Sequence, residues 1–415
     1  MNDDALGING LGRIGKLTLW HHAARRHFPS IVVNVGREVG TGLDAVCAAI
    51  EKDSTYGPMH RFLFGVNAER CVTIVDHDRR ILDVAGTPVT ILQDARNPAE
   101  IAWKPHGVRI VVDATGVFND PTVPPDHAKG ALRGHLAAGV EKVINSAAFK
   151  LRDRSASMPD DAVTLIYGIN HEAFDPTRHH LVSAASCTTT AVAHMLKPLL
   201  DALHASNIMT AAMSTIHAAT NSQSVLDTLP KAGAKDLRKT RSALNSIILT
   251  STNATAALEL VMPELATVGF MGDSVRVPTP TESLAILNIT FQETIDRDGR
   301  PSIDRERLNR IYADAAEGPQ RDMLVFSDDQ NVPADVRGGR AAVVIEGPET
   351  HTRTGFVDLD LSSLPGLDGR LLEGVDPIVE LPVTHAKVFG WYDNEYGSYT
   401  NMLGDLTVHV HETLG

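Results

Sequence analysis

The chain has 415 residues, 43% of them apolar, and carries a formal net charge of −13. That length supplies two or three domains with cores of their own. The acidic balance argues against nonspecific nucleic-acid binding, and no run of about 18 uninterrupted apolar residues is available to span a membrane.

Three cysteines, Cys47, Cys71 and Cys187, form no C-x-x-C pair and fit no metal-ligand spacing. Disulfide scaffolding and structural zinc are therefore disfavoured, no metal is expected, and a reducing cytoplasmic setting fits. No basic start leads into an apolar run, so no signal peptide is expected.

Taken in chain order, residues 5–15 (ALGINGLGRIG) read as a short apolar strand, then Gly10-Leu11-Gly12-Arg13-Ile14-Gly15, then a helix from Lys16 through His22. The pattern G-x-G-x-x-G between strand and helix allows a tight turn and close approach of a pyrophosphate to a helix N-terminus. By itself it is also compatible with a plain glycine-rich turn. A second strand, Ile31–Val35, follows at the spacing of a βαβ unit. Segments 109–116 and 141–146 read as two more buried strands, each ending in small or polar residues where a cofactor lies on the carboxyl edge of a parallel sheet.

Residues 183–194 (SAASCTTTAVAH) read as a strand ending in a tight turn, with Cys187 opening a helix. A thiol placed there is activated by the helix dipole, and the neighbouring hydroxyls and amides can hold an anion. For a lone cysteine, burial as a small apolar side chain is the alternative. Beyond it come longer alternating strands (207–216, 274–277, 284–292) and a helix over 305–317. The fold class is thus an α/β Rossmann dinucleotide-binding domain plus an α+β domain with a mainly antiparallel sheet. The polar, Pro/Gly-rich stretch 318–380 reads as loop around one strand, 341–345.

Together these segments resemble the phosphorylating glyceraldehyde-3-phosphate dehydrogenase family. The resemblance is carried by INGLGRIG (8–15), KDSTYG (52–57), DATGVF (113–118), SAASCTTT (183–190), STIHAATNSQ (214–223), KDLRKTR (235–241), TSTNATAALELVMPEL (250–265), VRVPTP (275–280) and WYDNEYG (391–397). It implies a Rossmann domain over 1–186, completed by a C-terminal helix over 393–415, and a catalytic domain over 187–392 with a longer-than-usual insertion near 318–380.

The resemblance further implies Cys187 as nucleophile and His217 as base. The substrate phosphate falls to Thr220 and Arg276, and the attacking phosphate to Ser186, Thr188 and Thr252. Arg276 has a surface salt bridge as its alternative role, and Thr252 a turn or cap hydroxyl. Cofactor contacts are implied for Gly10, Gly12, Arg13, Ile14, Gly15, Thr115, Gly116, Ser146 and Asn394, the last toward the nicotinamide carboxamide. A phosphorylated aldehyde, inorganic phosphate, NAD or NADP, and a homotetramer complete what the family implies.

Several positions depart from the family pattern. Val35 stands where an acid usually binds the ribose 2′-hydroxyl, and Arg37 is placed to pair with a 2′-phosphate, whereas Leu229-Pro230 matches an NAD-type pair. Asn253 replaces a glycine and Lys239 an arginine. Thr190 and Ala191 replace Asn and Cys, and Ser398 is an apparent extra residue before Tyr399. The favoured activity is oxidative phosphorylation of glyceraldehyde 3-phosphate. Alternatives are an erythrose-4-phosphate dehydrogenase, hydrolysis of the thioester, or a non-catalytic nucleotide-binding relative.

Overall fold

The computed structural model describes residues 4–153 and 155–415. The chain divides into two compact units. The first comprises residues up to Thr190 together with Arg337–Ala342 and Asp393–Gly415; the second comprises Ala191–Val336 and Val343–Tyr392.

In the first unit, β1 (Ala5–Asn9), β2 (Ile31–Asn34), β3 (Val72–Asp76), β4 (Ile81–Val84), β5 (Thr87–Leu92), β6 (Val108–Asp113), β7 (Lys142–Asn145), β8 (Ala162–Thr164) and β9 (Leu181–Ser183) form one sheet. Its order is β3-β4-β5-β2-β1-β6-β7-β9-β8. β5, β2, β1, β6, β7 and β9 run parallel, the arrangement of a doubly wound dinucleotide-binding sheet, and the hairpin β3–β4 adds an antiparallel edge.

Strands covered on both faces need apolar side chains at successive positions, and the run ALGIN is buried throughout. Alternate residues serve opposite layers. Leu6, Ile8, Val33, Ile110, Val112 and Ile144 pack with Leu17, Leu19 and Trp20 of helix Arg13–Arg25 and with Leu403, Leu406 and Val410 of helix Met402–Glu412. Ala5, Val32, Val111, Val143 and Leu181 pack with Trp103 and Leu132 on the other side. The C-terminal segment enters its helix through a π-helical turn, Tyr396–Asn401. Such a turn holds one more residue than an α-turn, and it lies where the sequence reading places an apparent extra residue, Ser398.

In the second unit, β10 (Ile208–Ala218), β11 (Ile248–Thr250), β12 (Gly269–Val277), β13 (Glu282–Gln292), β14 (Leu324–Ser327), β15 (Val343–Glu346), β16 (His351–Asp360) and β17 (Ile378–Asp393) form a mixed sheet. β10 pairs parallel with β12 and antiparallel with β13. Ala285, Leu287, Ile289 and Phe291 of β13 are fully buried, the period-two pattern the sequence displays. Helix Arg305–Glu317 is capped by the Asp304 carboxylate, which accepts from the Arg307 amide at 2.8 Å, and buries Leu308, Tyr312 and Ala315 along one stripe.

Residues 318–380 contain more regular structure than one strand in a loop. β14, β15, β16 and the start of β17 lie there, and β16 pairs with β17 in register from His351–Lys387 to Asp360–Ile378. The outer part of this hairpin is exposed on both faces, including Phe356 and Val357. It therefore lacks the one-sided alternation by which a strand is recognised in a sequence.

Candidate active site

Cys187 is the first residue of helix Cys187–Leu203 and is half-buried. Ser186 acts as the cap: its hydroxyl accepts from the Thr189 amide at 3.2 Å and pairs with the Thr189 hydroxyl at 2.7 Å. Ala185, just before it, has φ +55°, a left-handed conformation that costs a non-glycine residue about 1–2 kcal/mol. The turn is anchored behind by Ser183, whose hydroxyl donates to Ala147 O at 2.9 Å and accepts from the Ala185 amide at 3.1 Å. The thiol thus sits at the positive end of a helix dipole on a fixed, strained turn. Thr188 and Thr189 are buried beside it.

In the second unit, His217 on β10 lies in register with Arg276 on β12. The imidazole is 4% exposed, and its Nδ1 lies 2.8 Å from Ala218 O. A carbonyl can only accept, so Nδ1 carries the proton and Nε2 the basic lone pair. Burial, reinforced by the positive charge of Arg276, pushes the His217 pKa down to about 3. His217 is therefore neutral at physiological pH, the form a proton acceptor needs. Tyr392 packs edge-on against it, with the tyrosine hydroxyl 2.7 Å from that of Thr215.

Arg276 donates through Nη1 to Ala218 O at 3.3 Å. Thr220 is tied to Gln223 and Ser222 in the turn that follows β10. Thr252 accepts from the Ala254 amide at 3.1 Å at the start of helix Ala254–Val261, the turn hydroxyl that was its alternative role. Asn253 precedes that helix without capping it through its side chain, and Lys239 lies exposed in the 3-10 turn Leu237–Thr240.

The glycine-rich turn of the first unit fits a dinucleotide. Gly10 has φ +95°. A Cβ on Gly15 would overlap the Gly10 carbonyl, so this glycine is what brings helix and strand together, whereas a Cβ on Gly12 meets nothing within 4 Å and borders open space. A cleft of about 630 Å³ adjoins the turn, lined among others by Gly10, Asn34, Val35, Arg37, Arg96 and Lys129. Thr115 also lines it, while Gly116 has φ +67° and the Ser146 amide donates to Asp113 O at 2.9 Å. Ile14 packs partly buried against the core.

Two buried networks hold this edge. The Trp103 indole N–H donates to His135 Nδ1 at 2.9 Å, which leaves His135 Nε2 as donor to Asp113 at 3.0 Å. Asp113 also receives Asn9 Nδ2 at 2.8 Å and the Thr115 amide and hydroxyl. The second network concerns Arg13, whose guanidinium is committed to the carboxylates of Asp53 and Glu395. Asp53 is joined by Lys16 at 2.7 Å and receives the Tyr56 amide at 3.1 Å. The Tyr56 hydroxyl donates to Asp393 at 2.8 Å, and Asp393 also accepts the amides of Gly338, Glu395 and Tyr396. Asn394, 7% exposed, is thus flanked by two clamped carboxylates.

Reading the sequence singled out Arg13 and Asn394 but missed Asp53, Tyr56, Asp393, Glu395, Asp113, His135 and Arg96. The motifs KDSTYG, DATGVF and WYDNEYG contain most of them. Their joint role needs contacts across as many as 382 positions of the chain, as between Arg13 and Glu395. Among the described residues no group of three or more His, Cys, Asp or Glu is arranged to hold a metal ion, and no helix is long and apolar enough to cross a membrane.

Comparison with known proteins matches residues 5–121 to the glyceraldehyde 3-phosphate dehydrogenase NAD-binding domain and residues 186–359 to the C-terminal domain of the same family. Similar full-length relatives include the glyceraldehyde-3-phosphate dehydrogenase of Streptomyces coelicolor, 32% identical over 411 residues and covering 99% of both chains. Glyceraldehyde-3-phosphate dehydrogenase 1 of Bacillus subtilis is 31% identical over 405 residues, covering 98% of this chain and 97% of the relative. The Geobacillus stearothermophilus enzyme is 32% identical over 405 residues with the same coverage.

Proposed function

The chain belongs to the glyceraldehyde 3-phosphate dehydrogenase family, an oxidoreductase family with an NAD-binding domain, and on that premise we propose that it converts glyceraldehyde 3-phosphate and inorganic phosphate reversibly to 1,3-bisphosphoglycerate. The Cys187 thiolate adds to the aldehyde carbonyl, giving a thiohemiacetal. His217 Nε2 takes the hydroxyl proton as the carbon gives up hydride. Inorganic phosphate then attacks the resulting thioester, and the Cys187 thiolate leaves as the acyl phosphate forms. The bound nicotinamide dinucleotide supplies the hydride acceptor.

Arg276 and Thr220 hold the substrate phosphate in this reading; Ser186, Thr188 and Thr252 receive the attacking one. Asn394 orients the nicotinamide carboxamide, to which an amide offers both donor and acceptor. Turnover requires Cys187 reduced, the state a cytosol maintains. The observation that carries the proposal is Cys187 at the first position of its helix, in a chain matched by both domains of the family.

The cofactor preference is read as relaxed or shifted toward NADP. Val35 stands where a carboxylate would repel a 2′-phosphate, and Arg37 and Arg96 line the same cleft. The assembly is taken as a homotetramer; exposed Leu226, Leu229, Leu244 and Ile247 are the kind of surface a subunit interface covers, and light scattering on the purified chain tests it.

The decisive experiment crosses NAD and NADP with glyceraldehyde 3-phosphate and erythrose 4-phosphate, each with and without phosphate. Phosphate-dependent oxidation of glyceraldehyde 3-phosphate, lost in Cys187→Ser while cofactor still binds, is the expected result. Phosphate-independent oxidation, or full activity in Cys187→Ser, overturns the reading.

A further inference from the structure

The π-helical turn Tyr396–Asn401 faces the turn that carries Cys187, and its side chains reach the backbone there. The Ser398 hydroxyl, fully buried, donates to the carbonyl of Cys187 itself at 2.7 Å. The next residue, Tyr399, is also buried and directs its hydroxyl at the carbonyl of Ala185, at the longer distance of 3.4 Å. These two carbonyls bracket Ser186, the cap of the nucleophile helix, and one of them belongs to the left-handed Ala185.

A strained turn of this kind persists only when its surroundings hold it, and a bonded carbonyl on either side of the cap does so. The contact depends on the π-turn, because such a turn shifts the phase of every side chain after it. Gly397 permits the turn: a Cβ there would lie 2.8 Å from Ala341 O and closer still to Gly339 O. Burial of Tyr399 beside Cys187 pushes its phenol well above the ordinary range, so it remains a donor at every working pH.

We propose that Ser398 is a positioning residue for Cys187, fixing the thiol at the helix N-terminus by holding the Cys187 carbonyl, with Tyr399 steadying the Ala185 side of the same turn. It acts through Cys187 and touches no substrate. The proposal rests on Cys187 being the reactive thiol, as in the functional reading above.

Thiol reactivity tests this without requiring turnover. Alkylation of the full chain by iodoacetamide is followed at the Cys187 peptide by mass spectrometry across pH. Cys47 and Cys71 provide internal controls, since burial pushes both thiols up, Cys71 to about 11. In Ser398→Ala the thiol is held less firmly in the dipole. The alkylation midpoint should move to higher pH and the rate at pH 7 should fall about three- to tenfold, the size of one buried hydrogen bond. Ser398→Thr keeps the hydroxyl and should restore both values, which a loss of packing alone would not do.

An unmoved alkylation midpoint in Ser398→Ala overturns the proposal. So does a shift that Ser398→Thr fails to reverse while the melting temperature of that variant matches the parent. If the shift appears but the parent does not oxidise glyceraldehyde 3-phosphate, the positioning role stands and the functional reading falls. Oxidation without the shift leaves the functional reading standing and removes the positioning role.

Discussion

The two glycines Gly12 and Gly15 are three positions apart, yet their replacement by alanine should fail in different ways. At Gly15 the new Cβ would lie 2.9 Å from the carbonyl carbon of Gly10 and overlap its oxygen, and both neighbours are backbone. Relief requires helix Arg13–Arg25 to move off β1 by about 1 Å. Overpacking of this kind costs about 3 kcal/mol or more when the obstacle cannot rotate away. At roughly 2–4 °C per kcal/mol for a unit of this size, the melting temperature of the first unit should drop by about 6–12 °C. The shift also displaces the helix N-terminus, so cofactor affinity falls with stability.

At Gly12 nothing lies within 4 Å of the added methyl, and φ is −76°, a value alanine adopts without strain. Gly12→Ala should melt within about 1 °C of the parent, since a surface change of this type is nearly neutral. On the proposed function the methyl occupies the space through which a pyrophosphate approaches, and binding of NAD should weaken about tenfold or more, some 1.4 kcal/mol. Scanning calorimetry and isothermal titration with NAD separate the two effects. Equal melting losses in both variants, or NAD affinity unchanged in Gly12→Ala, would refute this account of the loop.

Acid should act on both units through buried histidines. Burial lowers His22 in the first unit and His217 in the second to about 3, below the 6.5 of an unfolded chain, so neutral imidazole stabilises the fold fully above about pH 6.5. That stability is lost as pH falls toward 3, about 2 kcal/mol per histidine by pH 5; His22→Leu should make the calorimetric pH dependence of the first unit shallower, and a parallel decline would count against the assignment. For the second unit, Arg276→Gln removes the positive charge in register with His217, so the imidazole pKa read by proton NMR should rise, and a fixed or lower value would show that Arg276 is not a cause.

How much of this was legible in the sequence varies with the range of the interactions. ALGINGLGRIG announces its strand, turn and helix because burial on both faces and the steric demands of glycine are local properties. The alternation of β13 and the stripe Leu308, Tyr312 and Ala315 are equally local. The hairpin β16–β17 escaped because its outer part has no buried face, and pairing alone leaves no periodic mark. The clamp of Arg13 by Asp53 and Glu395 escaped because the three residues come from distant segments.

By itself the sequence determined the class of each domain and the family, since these follow from motif spacing, hydrophobic period and backbone steric limits. Tertiary structure decided how the candidate site residues are held. It commits the Arg13 side chain to carboxylates, sets the tautomer of His217 by the Ala218 carbonyl, and brings Ser398 to the carbonyl of Cys187. The physical reason is directional: hydrogen bonds and desolvation depend on the neighbours that folding assembles from far along the chain, and no local pattern encodes them.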